Sequence, residues 1–261
     1  MKKLMTANMR LESKRYAPEK IEVLLKAQIE NSVEVGWKPN DIILLSNFDF
    51  EFMKVKAQKI LLNDFCLTGS KMFGLKYLFD NDIIKDKIWA HDLDCWQNAS
   101  FECPKFKHVG IACYSTSKYN GGSLFWKKEA KDIVEEIIRI KTENKEDKEE
   151  PTLNKVLKSK EYKKRVTIVN NTFNVGCSGY VKRWNRSIKP IHVCHFHPYN
   201  HTAWETHALD RNGLDQKGIT DRLETLLRKY YPGLATELGE NGKKAQKERK
   251  EERLAKEKAL L

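Results

Sequence analysis

The chain of 261 residues carries 48 Lys and Arg against 36 Asp and Glu, a net charge of +12, with 40% hydrophobic residues. Six Trp, nine Tyr and eleven Phe exclude a disordered chain, and the length suits one α/β-sized domain with a substantial core. No apolar run approaches the roughly 20 residues that span a bilayer, and Asn8 and Arg10 interrupt MKKLMTANMR before a signal-peptide core forms, so a cytoplasmic protein with no membrane partner is expected.

In chain order, residues 3–9 read as a strand, and 17–37, with Pro18 near the start and apolar residues at helical spacing, as a helix. DIILLSNF (41–48) follows as a buried strand. A helix over 68–80, a strand over 87–91 and a strand over 108–114 continue the alternation. A turn is expected at Tyr119 to Gly122, with GSLFWKK returning as a strand. EAKDIVEEIIRIKTE (129–143) places Ile133, Ile137, Ile138 and Ile140 on one helical stripe. NKEDKEE (144–150) reads as a solvated loop before a helix beginning near Pro151, and RVTIV and PIHVCHF read as late strands. Strand–helix alternation of this kind predicts an open, mainly parallel α/β sheet with helices on both faces and ligands beyond the carboxyl ends of the strands. Residues 239–261 read as a basic tail, helical or disordered; 241–261 hold eight basic and four acidic side chains. The six cysteines form no C-x-x-C pair and are expected to be reduced, which excludes a zinc ribbon or disulfide framework.

Four stretches can carry chemistry. In IWAHDLDCWQ, Asp92 and Asp94 end a strand and aim two like charges at one small volume, where a divalent cation is a natural partner; taken alone, the pair reads first as an N-cap with a solvated turn. PIHVCHFHPYNH gathers His195, His197 and His201 at a strand end, to complete such a site, as a separate zinc site, or as structural histidines. YNGGSLFWKK sets Asn120 beside Gly121 and Gly122, where backbone can approach a ligand closely or a hairpin can turn. Glu149 and Glu150 precede a helix, as a general base or as helix-terminal charges.

Taken in order, DIILLSNFDFEF, IWAHDLDCWQ, YNGGSLFWKKEAKDI, EEPTLN and PIHVCHFHP resemble the metal-dependent GT-A glycosyltransferases, and within them a phage-type branch similar to the base J glucosyltransferase. The resemblance covers roughly residues 3–200. It implies a Rossmann-like GT-A domain over 1–238, a nucleotide-sugar donor such as a UDP-sugar, and Mn²⁺ or Mg²⁺ held by Asp92, Asp94 and His195. It further implies that Thr6, Asn8 and Arg10 meet the nucleotide, that Lys71 faces the diphosphate, that Asn120 and Gly121 line the sugar, and that Glu150, with Glu149 beside it, supplies the base. An Asp-Glu pair is expected where this chain has Glu149-Glu150, which leaves the register of the base open.

The branch implies a 5-hydroxymethyl pyrimidine in DNA as acceptor, and a cytoplasmic location in the host if the source is viral. NKVLKSKEYKKR (154–165) and the cluster Lys182, Arg183, Trp184 and Arg186 can neutralise phosphates and stack on a base, or can be ordinary solvated surface. A glycan or protein acceptor, a nucleotidyl- or phosphotransferase, and a non-enzymatic nucleic-acid-binding protein are the alternatives.

Overall fold

The computed structural model describes residues 1–9, 18–60, 70–115, 118–144, 149–176 and 185–195, with 222, 225–226 and 229–230. The expected tail at 239–261 lies outside them.

Lys2–Ala7 (KKLMTA) makes β1, a central strand buried at Lys3, Leu4, Met5 and Ala7, whose even and odd positions enter opposite faces of a sheet. Helix α1 (Pro18–Glu34) opens on proline, whose missing N–H is no loss in a first turn. β2 (Ile42–Ser46) then runs parallel to β1, with Ala7 opposite Ser46. β3 (Glu51–Phe52) and β4 (Val55–Lys59) form a small antiparallel hairpin, and β4 pairs parallel with β2. After α2 (Ser70–Asp80), β5 (Lys87–His91) lies parallel to β1 on its other side, with Leu4 opposite Ala90. β7 (Val109–Ser115) and β8 (Lys118–Lys127) are antiparallel, β8 pairs antiparallel with β5, and β9 (Val166–Ile168) pairs parallel with β7. The strands so described form an eight-stranded mixed sheet of order β3-β4-β2-β1-β5-β8-β7-β9.

Helices cover both faces, as the sequence predicts. On one face α2, α3 (Lys131–Glu143) and α4 (Glu149–Lys158) bury Leu75, Ile133, Val134, Ile137 and Leu153 against Leu4, Leu45, Ile88 and Leu124. A Cβ on Gly74 would stand 2.9 Å from Thr6 Cγ2, so glycine lets α2 lie directly on β1. On the other face α1 packs Ile21, Leu25 and Ile29 on Met5, Leu44 and Val55. Beside α1, a second, three-stranded sheet of order β10-β11-β6 sits over Trp89 and Phe125; it comprises β6 (Cys95–Gln97), β10 (Val175–Gly176) and β11 (Val193–His195).

Two expectations require correction. The turn at Tyr119–Gly122 does not exist: these residues lie inside β8, with Asn120 and Tyr119 buried. The second is smaller, since α4 starts at Glu149 and carries Pro151 within its first turn, where no intrahelical N–H bond is lost.

Candidate active site

Parallel pairing sends the carboxyl ends of β1, β2 and β5 to the same edge, so Asn8 after β1, Asn47 after β2 and Asp92 after β5 gather there. Asn47 clamps the segment after β1 in both directions, its Oδ1 accepting from Met9 N at 2.9 Å and its Nδ2 donating to Met9 O at 3.0 Å. Asn8 is buried, and its amide oxygen and nitrogen have no hydrogen-bond partner among the described residues. Thr6 Oγ1 lies 3.3 Å from Ser70 Oγ at the start of α2.

The Asp92–Asp94 loop is fixed from three sides. Asp92 N donates to Gly122 O of β8 at 2.9 Å. Gln28, fully buried on α1, donates through Nε2 to Leu93 O at 2.7 Å and to Cys95 O at 3.0 Å. His91 is neutral, because burial holds its pKa well below the ordinary imidazole value; its Nδ1 is 2.8 Å from Asp92 O, and its ring stacks on Trp89.

Beyond Asp94 the chain forms β6, and antiparallel pairing puts His195 directly opposite Cys95. That register brings His195 Nε2 to 3.1 Å from Asp94 Oδ1, with both side chains largely buried. Gly122 makes room for the ring: a Cβ there would stand 2.5 Å from His195 Cε1 and Nδ1 and 2.9 Å from Cys95 Sγ. Asn120 Oδ1 accepts from Gly122 N at 2.9 Å and braces the same backbone.

Asp92 is turned differently. Its Oδ1 accepts from Lys71 Nζ at 2.7 Å, and Lys71 also donates to Gly121 O at 2.5 Å and stands 3.2 Å from Glu149 Oε1. Burial opposes a charge on Lys71, but the carboxylates of Asp92 and Glu149 outweigh it and hold the ammonium protonated. Burial likewise pushes Glu149 up to about 7, against the pull of Lys71. Glu149 Oε2 is buried with no hydrogen-bond partner among the described residues. Glu150 instead points to Lys118, 2.9 Å away.

The structure therefore brings Lys71, Asp92, Asp94, Asn120, Gly121, Glu149 and His195 to one edge, with Thr6 and Asn8 beside them. Glu150 faces the flank, and Arg186 is exposed. Arg10, Lys182, Arg183, Trp184, His197 and His201 lie outside the described residues. Sequence reasoning missed Gln28 and Cys95, which no local signal marks, and noted Gly122 only as part of the doubled glycine at 121–122.

The donors fit a divalent cation. Asp94 and His195 already present a carboxylate oxygen and an imidazole nitrogen at a separation that one ion can span, whereas the half-exposed Asp92 is engaged by Lys71. The Cys95 thiol, pushed up to about 12 by burial, stays protonated and donates to Gly122 O at 2.9 Å.

No protein-family profile matches the sequence, and no curated protein does so either. Solved structures do. The galactosyltransferase LgtC, solved with donor and acceptor sugar analogs, is similar with a TM-score of 0.55 and 12% identity, over 86% of this chain and 96% of that one. The glycosyltransferase GlyE of Streptococcus pneumoniae is similar with a TM-score of 0.54 and 13% identity, over 89% of this chain and 64% of that one. The eight-stranded mixed sheet, helices on both faces, is thus the GT-A glycosyltransferase fold that the sequence leads one to expect.

Proposed function

We propose that the chain is a glycosyltransferase that moves a hexose from a nucleotide-sugar donor, a UDP-sugar, to a hydroxyl acceptor, with Mn²⁺ or Mg²⁺ held by Asp94 and His195, and Asp92 beside them. The observation that carries this reading is the Asp94–His195 pair, 3.1 Å apart at the carboxyl end of β5 on a GT-A frame. Bound there, the ion would neutralise the diphosphate as negative charge grows on the leaving group. Lys71, held charged beside Asp92, adds a fixed cation on the same side. Asn8, with both amide atoms buried and unpaired among the described residues, is suited to the nucleotide. Glu149 carries the one carboxylate beside Gly121 and Lys71 whose burial tunes it toward neutrality, and we assign it, rather than Glu150, to the sugar and acceptor side.

For the acceptor we propose a 5-hydroxymethyl pyrimidine in DNA. The support is the charge of +12 and the exposed Lys155, Lys158, Lys160, Lys163 and Lys164, which extend from the far end of α4, the helix that begins at the site. The test is to incubate the full chain with Mn²⁺ and radiolabelled UDP-glucose in the presence of hydroxymethylated DNA, unmodified DNA or a glycan. Label on hydroxymethylated DNA alone is expected. Label only on the glycan would overturn the DNA acceptor, and no release of sugar from any nucleotide-sugar would overturn the transferase.

A further inference from the structure

Three metal-binding side chains converge at the edge of β5, and one of them, Cys95, belongs to no expected metal set. One ligand atom each from Asp94, Cys95 and His195 lies within 4.8 Å of the others. Cys95 and His195 face each other across the β6–β11 ladder, so their side chains rise on the same face. The missing side chain at Gly122 lets both the imidazole and the sulfur lie close against strand β8, since a Cβ there would clash with His195 and Cys95.

The donor chemistry is mixed. Carboxylate oxygen and imidazole nitrogen alone accommodate Mn²⁺ or Mg²⁺, whereas an added sulfur favours the more thiophilic Zn²⁺, Co²⁺ and Cd²⁺. A tetrahedral ion with bonds of about 2.0–2.3 Å holds its ligand atoms roughly 3.5 Å apart, so small side-chain rotations close the triangle. Such an ion keeps its fourth position for water or phosphate.

We propose that this pocket is also a site for a thiophilic cation, bound through Asp94, Cys95 and His195 more tightly than Mn²⁺ and therefore inhibiting the transfer reaction. Sulfur leaves its contact with Gly122 O, the S–H bond breaks, the proton passes to solvent and a sulfur–metal bond forms. The inhibitory part rests on the function proposed above; the binding part does not.

Titrating the full chain with Co²⁺ tests it without an activity measurement. Native protein should develop the intense near-ultraviolet thiolate-to-cobalt charge-transfer band, and one equivalent of Zn²⁺ should remove it. Cys95→Ser should abolish the band and weaken Zn²⁺ by about tenfold or more, while changing Mn²⁺ affinity by less than about twofold. If Cys95→Ser does not fold, Cys95→Ala serves, because without the sulfur no such band can form. Cobalt bound without the band, or a band that survives either substitution, overturns the thiophilic site and leaves the Mn²⁺ reading standing. Failure of both Co²⁺ and Mn²⁺ to bind overturns the two together.

Discussion

Gly122 decides whether His195 can stand beside Asp94. A methyl group there would lie 2.5 Å from two atoms of a buried ring, so the ring must shift to admit it. Gly122→Ala should therefore cut metal affinity and sugar transfer by about a hundredfold, while overpacking lowers stability by only about 1–3 kcal/mol in a urea titration. Unchanged Mn²⁺ binding in that variant would show that the histidine is not a ligand. Glu149 makes a second prediction. Its ionised form, the one able to accept a proton, builds up as pH rises through about 7, so the transfer rate should climb across that region and Glu149→Gln should flatten the profile. Lys3 concerns stability instead. It is fully buried, with one hydrogen bond to Ser32 Oγ at 2.6 Å and the Trp89 ring 4.7 Å away. Burial lowers its pKa from 10.5 to about 7. Between those values the unfolded chain holds a proton that the folded chain has released, so stability should rise with pH from about 7 toward 10.5 and lie on its lower plateau below 7. Lys3→Met should remove that dependence and stabilise the fold by on the order of 1–4 kcal/mol near neutrality; a melting temperature that still tracks pH over that range would exclude Lys3 as its source.

Helix α1 shows how much an element can do that its sequence pattern conceals. Its apolar stripe was legible, but its buried polar positions, Gln28, Asn31 and Ser32, serve contacts more than 25 residues away: to Leu93 and Cys95, to Gln97 O at 3.1 Å, and to Lys3. Removing Gln28 leaves two carbonyls of the aspartate loop without this donor, so Gln28→Ala should weaken metal binding and transfer about tenfold at a stability cost of about 1–3 kcal/mol. An unaltered metal affinity, measured by calorimetry, would show that the loop holds its shape without α1. The same distinction separates the legible elements from the hidden ones. β1, β2, α2, β5, β7 and α3 announce themselves through apolar periodicity, because each buries a whole face. β4 does not, since VKAQK, next to the short edge strand β3, buries only Val55, and the hairpin joining the two turns through Met53 and Lys54 at positive φ without glycine or asparagine. β6 and β10, at three and two residues, are too short to carry a period. The Asn120-Gly121-Gly122 run misleads for a related reason: its second glycine answers to His195, 73 positions later, and not to a local turn.

At the scale of the whole molecule, the sequence made the aspartate pair and the late histidine conspicuous, while pairing between β6 and β11 decides how they meet. It also separates the two aspartates, with Asp94 turned to His195 and Asp92 to Lys71, a division that spacing alone does not reveal. One carboxylate thus has a cation in Lys71, and the other faces an imidazole suited to sharing an ion. The central claim is that this second pair holds the metal that releases sugar from a nucleotide donor. Donor turnover, read as UDP released from UDP-sugars with Mn²⁺ present or chelated, tests it most directly when native protein is compared with Asp94→Ala under conditions where both are folded. The account predicts metal-dependent release by the native chain and a loss of about a thousandfold in Asp94→Ala, in line with removal of a principal electrostatic group. Release that persists in Asp94→Ala, or that ignores chelation, would contradict it.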